Sequence, residues 1–344
     1  IYFNFVNADG VFAIGGIETY IRLLALAVHH RYKFDIWFPS SAEFVISEPA
    51  FTSHGVHCRD IEELQQILKQ RVLKPEDILI YATDQIIPTT GHRHTIGIQH
   101  GIYWDLPAGI YRNQSGTRSL RLLKLFDNYR NFRRSELFST LVCVDYNFLN
   151  WKRTLSVKIR DGYHTVILNC AGDDFFSIPE KTPDNENFTL LFPRRFVELR
   201  GARVFASVMN DLRTRYPFIT IIMAGEGELE NDIKKILPPD RKAIYRNIPY
   251  HEMPEVMNTA DVVGVPSLGS ECSSLAVIEA MAAGRLVVAS NVGGINNLII
   301  NRFNGLLCNP GEKGLRGTLE MVLQNRPAFA DIPQIGRASC RERV

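Results

Sequence analysis

Two carboxylates eight positions apart, Glu271 and Glu279, stand in a run that is otherwise small or apolar: Pro266-Ser-Leu-Gly-Ser-Glu271-Cys-Ser-Ser-Leu-Ala-Val-Ile-Glu279-Ala-Met-Ala-Ala-Gly284. Gly269 and Ser270 mark a loop, Ser273 or Ser274 can cap a helix start, and Gly284 can end that helix. Leu275 to Ala283 leave the helix almost no polar face, so it should be buried. A carboxylate in its middle then requires a partner. Helical side chains lean toward the N-terminus, which aims Glu279 back at the loop carrying Glu271. The helix start also presents free amides and a positive dipole end, a seat for phosphate. Anion-binding amides flanked by two hydroxyl-binding carboxylates suit a nucleotide-sugar. The plain alternative is a capped core helix with Glu279 in a structural ion pair.

Further candidates lie where an α/β sheet presents ligands, beyond strand ends. Arg194-Arg195-Phe-Val-Glu-Leu-Arg200-Gly201 follows one apolar strand, and guanidiniums there could hold a diphosphate bidentately; a solvated basic loop is the alternative. Gly15-Gly16 sits at a strand-to-helix turn, where backbone amides can approach a phosphate closely, although an ordinary tight turn reads the same way. It is not the Gly-x-Gly-x-x-Gly dinucleotide fingerprint, and Glu18 just beyond reads as a first-turn helix acid. His100 ends the apolar strand Thr95 to Gln99, where a neutral imidazole could hydrogen-bond a sugar hydroxyl; a lone His is also often structural. The remaining histidines offer no metal-ligand spacing and no Asp-x-Asp triplet occurs, so no metal and no cofactor are expected.

These groups need a scaffold. Short apolar runs alternate with helical patterns, which argues for parallel sheets flanked by helices. Strands are expected at Ile1 to Val6, Phe34 to Phe38, Ile78 to Tyr81, Thr95 to Gln99, Leu141 to Val144 and Thr165 to Leu168, then at Phe188 to Phe192, Ile219 to Ala224, Asp261 to Val265 and Leu286 to Ser290. Proline and polar residues make 178–187 a linker, so the expected α/β fold has two Rossmann-like domains, 1–177 and 188–334, with a ligand cleft between them. A net charge of +2 gives no global case for nucleic acid. No apolar run approaches membrane-spanning length. The scattered cysteines fit neither zinc nor a disulfide framework, which points to a reducing cytoplasm. Arg118 to Arg134 interleaves basic and apolar residues; it could dock on anionic lipid at the inner membrane face, but an ordinary surface helix is the favoured reading. The run Ile335-Gly-Arg-Ala-Ser-Cys-Arg-Glu-Arg-Val344 resembles a translated sequencing adapter, so it is set outside the fold as a non-native tail and the chain is read as a fragment.

Taken in order, these residues resemble the GT-B glycosyltransferases of family 4, also called group 1. The resemblance runs through Gly15-Gly16, His100-Gly101, Val166-Ile-Leu-Asn169, Arg195 to Gly201, the Ala-Gly-x-Gly turn at Ala224, the Glu-x7-Glu block, Gly293-Gly294 and Asn304-Gly305. It implies Glu279 on the nucleotide ribose and Glu271 by the donor sugar's hydroxyls. The amides of Ser273, Ser274 and Leu275 would meet the distal phosphate, Arg195 and Arg200 the diphosphate, the Gly16 amide would close over it, and His100 would contact the transferred sugar. Arg194 is an alternative to Arg195, Arg200 stands where the family usually has Lys, and Asn297 where it often has Glu. The implied reaction is metal-independent transfer, with retention, from a nucleotide-diphosphate sugar to a saccharide or lipid-linked acceptor in polysaccharide or glycoconjugate synthesis. Rival readings are a sugar-nucleotide epimerase of similar architecture and a non-catalytic sugar-nucleotide-binding relative.

Overall fold

A computed structural model describes residues 1–342 except 14, 102–125, 127, 128, 131, 156–162, 182–186, 270 and the Leu155 side chain. The chain packs as two units, one formed by residues 1–100 and 116–167, the other including Leu168 onward. The division thus falls ten residues before the expected 177. Its cause is apolar: Ala171, Phe175 and Ile178 are buried in the core of the second unit.

The first unit holds two sheets. β1 (Asp35–Ser40) pairs in parallel with β3 (Thr52–His57), and β2 (Phe44–Ser47) adds an antiparallel edge, a departure from the all-parallel expectation. β4 (Leu79–Tyr81), β5 (Thr95–Gln99), β6 (Thr140–Cys143) and β7 (His164–Val166) form a four-stranded parallel sheet. Helices α1 (Gly16–Val28), α2 (Ile61–Arg71) and α3 (Tyr146–Leu155) accompany them. The expected strand Ile1 to Val6 is not one. Its backbone groups are used singly: the Ile1 amine donates to Ile80 O at 2.6 Å, Ala82 N to Ile1 O at 3.0 Å, and Tyr2 N to Trp37 O at 3.1 Å. It splices the two sheets together without extending a ladder. The basic segment 118–134 lies mostly outside the described residues.

The second unit is built around one six-stranded, wholly parallel sheet in the order β10-β9-β8-β11-β12-β13. Its strands are β8 (Phe188–Pro193), β9 (Ile219–Ala224), β10 (Ala243–Arg246), β11 (Val262–Val265), β12 (Leu286–Ser290) and β13 (Leu306–Cys308). Helices α4 (Asp173–Phe176), α5 (Ala202–Arg215), α6 (Glu230–Ile236), α7 (Met253–Thr259), α8 (Leu275–Ala282), α9 (Glu312–Gln324) and α10 (Ile332–Arg341) cover both faces. Side chains alternate along each strand: Leu190 and Phe192 join the core under α5 and α9, while Leu191 joins the one under α8 and α7. Numbered within this unit, the strand order is 3-2-1-4-5-6, the doubly wound arrangement whose order reverses between β8 and β11. Ligands in such sheets bind beyond the C-terminal strand ends at that reversal.

Helix α10 overturns the exclusion of residues 335–344 from the fold. Through Arg341 they are helical and pack on α8, with Cys340 buried and its thiol donating to Ile278 O at 3.6 Å. Arg337 donates to the carbonyls of Ile178, at 2.8 Å, and Phe176. Among the described residues, no helix is long and apolar enough to cross a membrane.

Candidate functional site

The loops after β8 and β11 carry the expected chemistry, and backbone contact holds them together. Gly201 has φ of 73°, and a Cβ there would fall 1.9 Å from Pro266 O. Leu268 N donates to Leu199 O at 2.9 Å. Only a glycine allows the β8 loop to turn this sharply against the β11 loop. The consequence is that Arg194 and Arg200 converge on Glu271.

Glu271 Oε1 accepts from Arg194 Nη2 at 2.7 Å, from Ser267 Oγ at 2.6 Å and from Arg200 Nη1. Arg194 Nη1 also donates to Ser267 Oγ at 2.5 Å. Burial by itself would raise the Glu271 pKa, but the Arg194 and Arg200 guanidiniums and the Ser267 hydroxyl outweigh it and hold the carboxyl below its ordinary range. Burial draws Arg194 down to about 10, with Glu271 opposing. Two guanidiniums against one carboxylate leave the cluster net positive. Arg195, its neighbour just past β8, is exposed, and its side chain has no partner among the described residues. Of the two arginines left open by the sequence, Arg194 is thus the one bound to Glu271.

Helix α8 is as buried as its sequence demands, every residue from Ala276 to Ala282 being enclosed. Gly284, at φ of 65°, ends it in a Schellman turn, with Gly284 N on Met281 O and Arg285 N on Ala280 O, both 2.9 Å. Its start is less conventional. Ser274 is the N-cap residue, yet its hydroxyl makes no cap bond and is buried without a partner among the described residues. The amides of Leu275 and Ala276 take no hydrogen bond within the described protein. Ser273 is held from behind, its carbonyl accepting from Asn169 Nδ2 at 2.7 Å. Gly293 and Gly294 wrap the Glu271 backbone, Gly294 N donating to Glu271 O at 2.9 Å.

Among the described residues Glu279 forms no ion pair. Its Oε1 accepts from the Tyr250 phenol at 3.0 Å, and burial pushes its pKa up to about 7, with Tyr250 and the more distant Arg194 opposing. The Oε2 atoms of Glu271 and Glu279 take no hydrogen bond from the described residues. The edge of this unit therefore combines two open carboxylate oxygens, free helix-start amides and surplus guanidinium charge, suited to an anion that also carries hydroxyls. Sequence reasoning missed Ser267 and Tyr250. Ser267 lay inside the quoted run, whereas nothing in the sequence joins Tyr250 to Glu279.

The remaining candidates belong to the first unit. Gly15 precedes α1 with φ of 178°, so left-handed backbone is not what it supplies. A Cβ there would lie 2.3 Å from Glu18 Oε2, and Glu18 Oε1 accepts from Tyr2 at 2.9 Å. Glycine is needed for the approach of that carboxylate, which occupies the first turn of α1 as expected; Gly16 is exposed beside it. His100 follows β5, packs edge-on against Tyr20 of α1 with centroids 4.9 Å apart, and leaves Nε2 buried without a partner. Burial lowers its pKa to about 4, against a bond to the Ala82 backbone, so it is neutral at pH 7.

Comparison with known proteins bears on the family and the fold. Residues 174–338 match the family model for glycosyl transferases group 1, which supports that family for the second unit. The chain is 34% identical over 132 residues to a D-inositol 3-phosphate glycosyltransferase of Pseudarthrobacter chlorophenolicus, covering 36% of this chain and 31% of that protein. It is 28% identical over 173 residues to glycogen synthase of Mycobacterium tuberculosis, covering 48% of this chain and 41% of that one. The chain thus spans a third to two-fifths of the length of these curated relatives. Among solved structures it resembles a sucrose-phosphate synthase from Thermosynechococcus elongatus, at a TM-score of 0.71, 17% identity and coverage of 95% and 89%. It also resembles Anabaena HepE in complex with UDP and glucose, at a TM-score of 0.69, 16% identity and coverage of 99% and 94%. These likenesses show the fold, two Rossmann-like domains of the GT-B class.

Proposed function

We propose that this group 1 relative transfers a glycosyl residue from a nucleotide-diphosphate sugar to a saccharide or lipid-linked acceptor, with retention and without a metal. The observation that carries the reading is the convergence of Arg194, Arg200 and Glu271 where the strand order reverses, beside the unbonded amides of α8. The structural neighbour HepE, solved in complex with UDP and glucose, supports the same donor class. In this reading Glu279 Oε2 accepts from the ribose, and Glu271 Oε2 accepts from the donor sugar. The diphosphate lies between the Leu275 and Ala276 amides and the guanidiniums, with Arg195 as the cation free to reach it. Catalysis is then mostly stabilisation of the leaving diphosphate in a fixed electrostatic frame. Retention follows if the acceptor attacks from the face the diphosphate leaves, with a phosphate oxygen taking its proton. Synthesis at the inner face of a membrane, on a lipid-linked acceptor, belongs to the same proposal.

The test is a thermal-shift screen of UDP-, GDP- and ADP-sugars, followed by product analysis with a membrane extract as acceptor source. Stabilisation by one donor class, and an α-linked product from an α-linked donor by NMR, is expected. Epimerised donor without transfer, or no stabilisation by any donor, would refute the proposal.

A further inference from the structure

We propose that Tyr250 is the positioning residue for Glu279: its phenol fixes one carboxylate oxygen and so turns the other toward the ribose hydroxyls of the bound nucleotide. This rests on the donor-site reading above.

Tyr250 begins a one-turn 3-10 segment, Tyr250–Glu252, downstream of β10. Its ring is braced by Phe175 of α4, with centroids 6.0 Å apart and planes at 56°. The phenol therefore reaches Glu279 from a fixed platform, giving the 3.0 Å bond. A glutamate has several rotatable bonds, and one anchored oxygen removes most of that freedom before ligand arrives. The phenol also matters for charge. A buried carboxylate without a cation tends to stay protonated, and a carboxyl protonated on its free oxygen presents a donor there in place of the acceptor that the two ribose hydroxyls need. A phenol donor favours the ionised form.

Among the described residues no other group substitutes for it. Of the elements packed on α8, strands β11 and β12 bring no titratable side chain. Helix α4 brings Asp173 and Asp174, both exposed. On α10, Arg337 is engaged with the Phe176 and Ile178 carbonyls, Arg341 lies over the Phe176 ring at 5.8 Å, and Cys340 donates to Ile278 O. Arg194, from the β8 loop, acts on Glu279 only at longer range, its own bonds going to Glu271 and Ser267. Tyr250 is the one direct partner among the described residues.

The experiment is calorimetric titration of the full chain with UDP, GDP and ADP between pH 5.5 and 8.5, continued with whichever binds wild type most tightly. Tyr250→Phe keeps the ring and removes only the hydroxyl. Expected is about a tenfold loss of affinity at pH 7, the size of one hydrogen bond to a charged group. The pH at which binding is half lost on the acid side should rise by about one unit. Glu279→Gln should abolish that acid-side transition, and the double variant should bind no worse than Glu279→Gln alone, because Tyr250 acts through Glu279. Unchanged affinity and midpoint in Tyr250→Phe, or fully additive losses in the double variant, overturn the proposal while the donor site stands. Wild-type binding by Glu279→Gln, or no binding of any of the three nucleotides to wild type, overturns the donor-site reading instead, and this proposal with it.

Discussion

Neutralising Glu271 is the sharpest test of the arginine cluster, because its effect on stability follows from geometry alone. Glu271→Gln keeps an oxygen that can accept from Arg194, Arg200 and Ser267, but it removes the only charge bonded to Arg194 among the described residues, and the Arg194 side chain is 9% exposed. Breaking a buried ion pair from one side costs about 3–5 kcal/mol, and the retained amide oxygen places this case near 3 kcal/mol. For a unit of this size that is a fall in melting temperature of about 10 °C. The sign with pH is fixed as well. The folded Glu271 pKa lies below its ordinary value of 4.5, so its contribution is complete above that value and is lost as pH falls through the folded one. Urea unfolding at pH 7 should separate wild type and variant by about 3 kcal/mol, and the two should converge in acid. Arg194→Met combined with Glu271→Gln removes both buried charges and should recover at least half of the loss. A single variant within about 1 kcal/mol of wild type at pH 7, or a double variant no better than the single, would show that the ion pair is not what holds this cluster.

Other outcomes follow from the same residues. Gly201→Ala forces an L-residue to φ of 73° and drives a Cβ into Pro266 O, so it should cost more than the roughly 1–2 kcal/mol of the left-handed backbone alone, read by urea midpoint. Glu279→Gln should stabilise the protein at pH 8 by about 2–3 kcal/mol while weakening nucleotide binding. With a folded pKa of about 7 the native state holds its proton longer than the unfolded chain, so wild-type stability falls as pH rises from 4.5 to 7, and the variant's curve should lack that slope. Arg195→Ala should leave the melting temperature within about 1 °C, as expected for an unpaired surface side chain, yet lower donor affinity; Arg194→Ala should do measurable damage to both.

How much of this was legible in the sequence depends on what each element is made of. The second unit's strands β8, β9, β11 and β12 are largely buried on both faces and read as nearly continuous apolar runs, so they stood out. β3 did not, because Thr52-Ser-His-Gly-Val-His57 packs by smallness: Ser53 is fully buried, and a Cβ on Gly55 would meet the Phe44 ring at 2.4 Å. The strands β10 and β13, 4 and 3 residues long, are too short to stand out. Ile1 to Val6 erred the other way, apolar enough for a strand but spent on joining two sheets. At the site, residue type and spacing exposed Glu271, Glu279 and the arginine block. They could not say which of two adjacent arginines faces inward, since one residue of register reverses the answer. Nor could they find Tyr250, whose meeting with Glu279 exists only through tertiary packing.

The turn Gly225-Glu226-Gly227 has a consequence for selectivity. A Cβ on Gly225 would strike Arg194 O at 2.3 Å, one on Gly227 would strike Phe196 O at 2.6 Å, and Phe196 N and O are both engaged, with Glu226 O at 2.7 Å and Leu229 N at 3.0 Å. The main chain bearing the arginines is therefore wedged on one flank by this turn and on the other by Pro266. It behaves as a jig adjusted mainly beyond Cβ, so in the proposed donor site an incoming anion would be measured by reach and charge count.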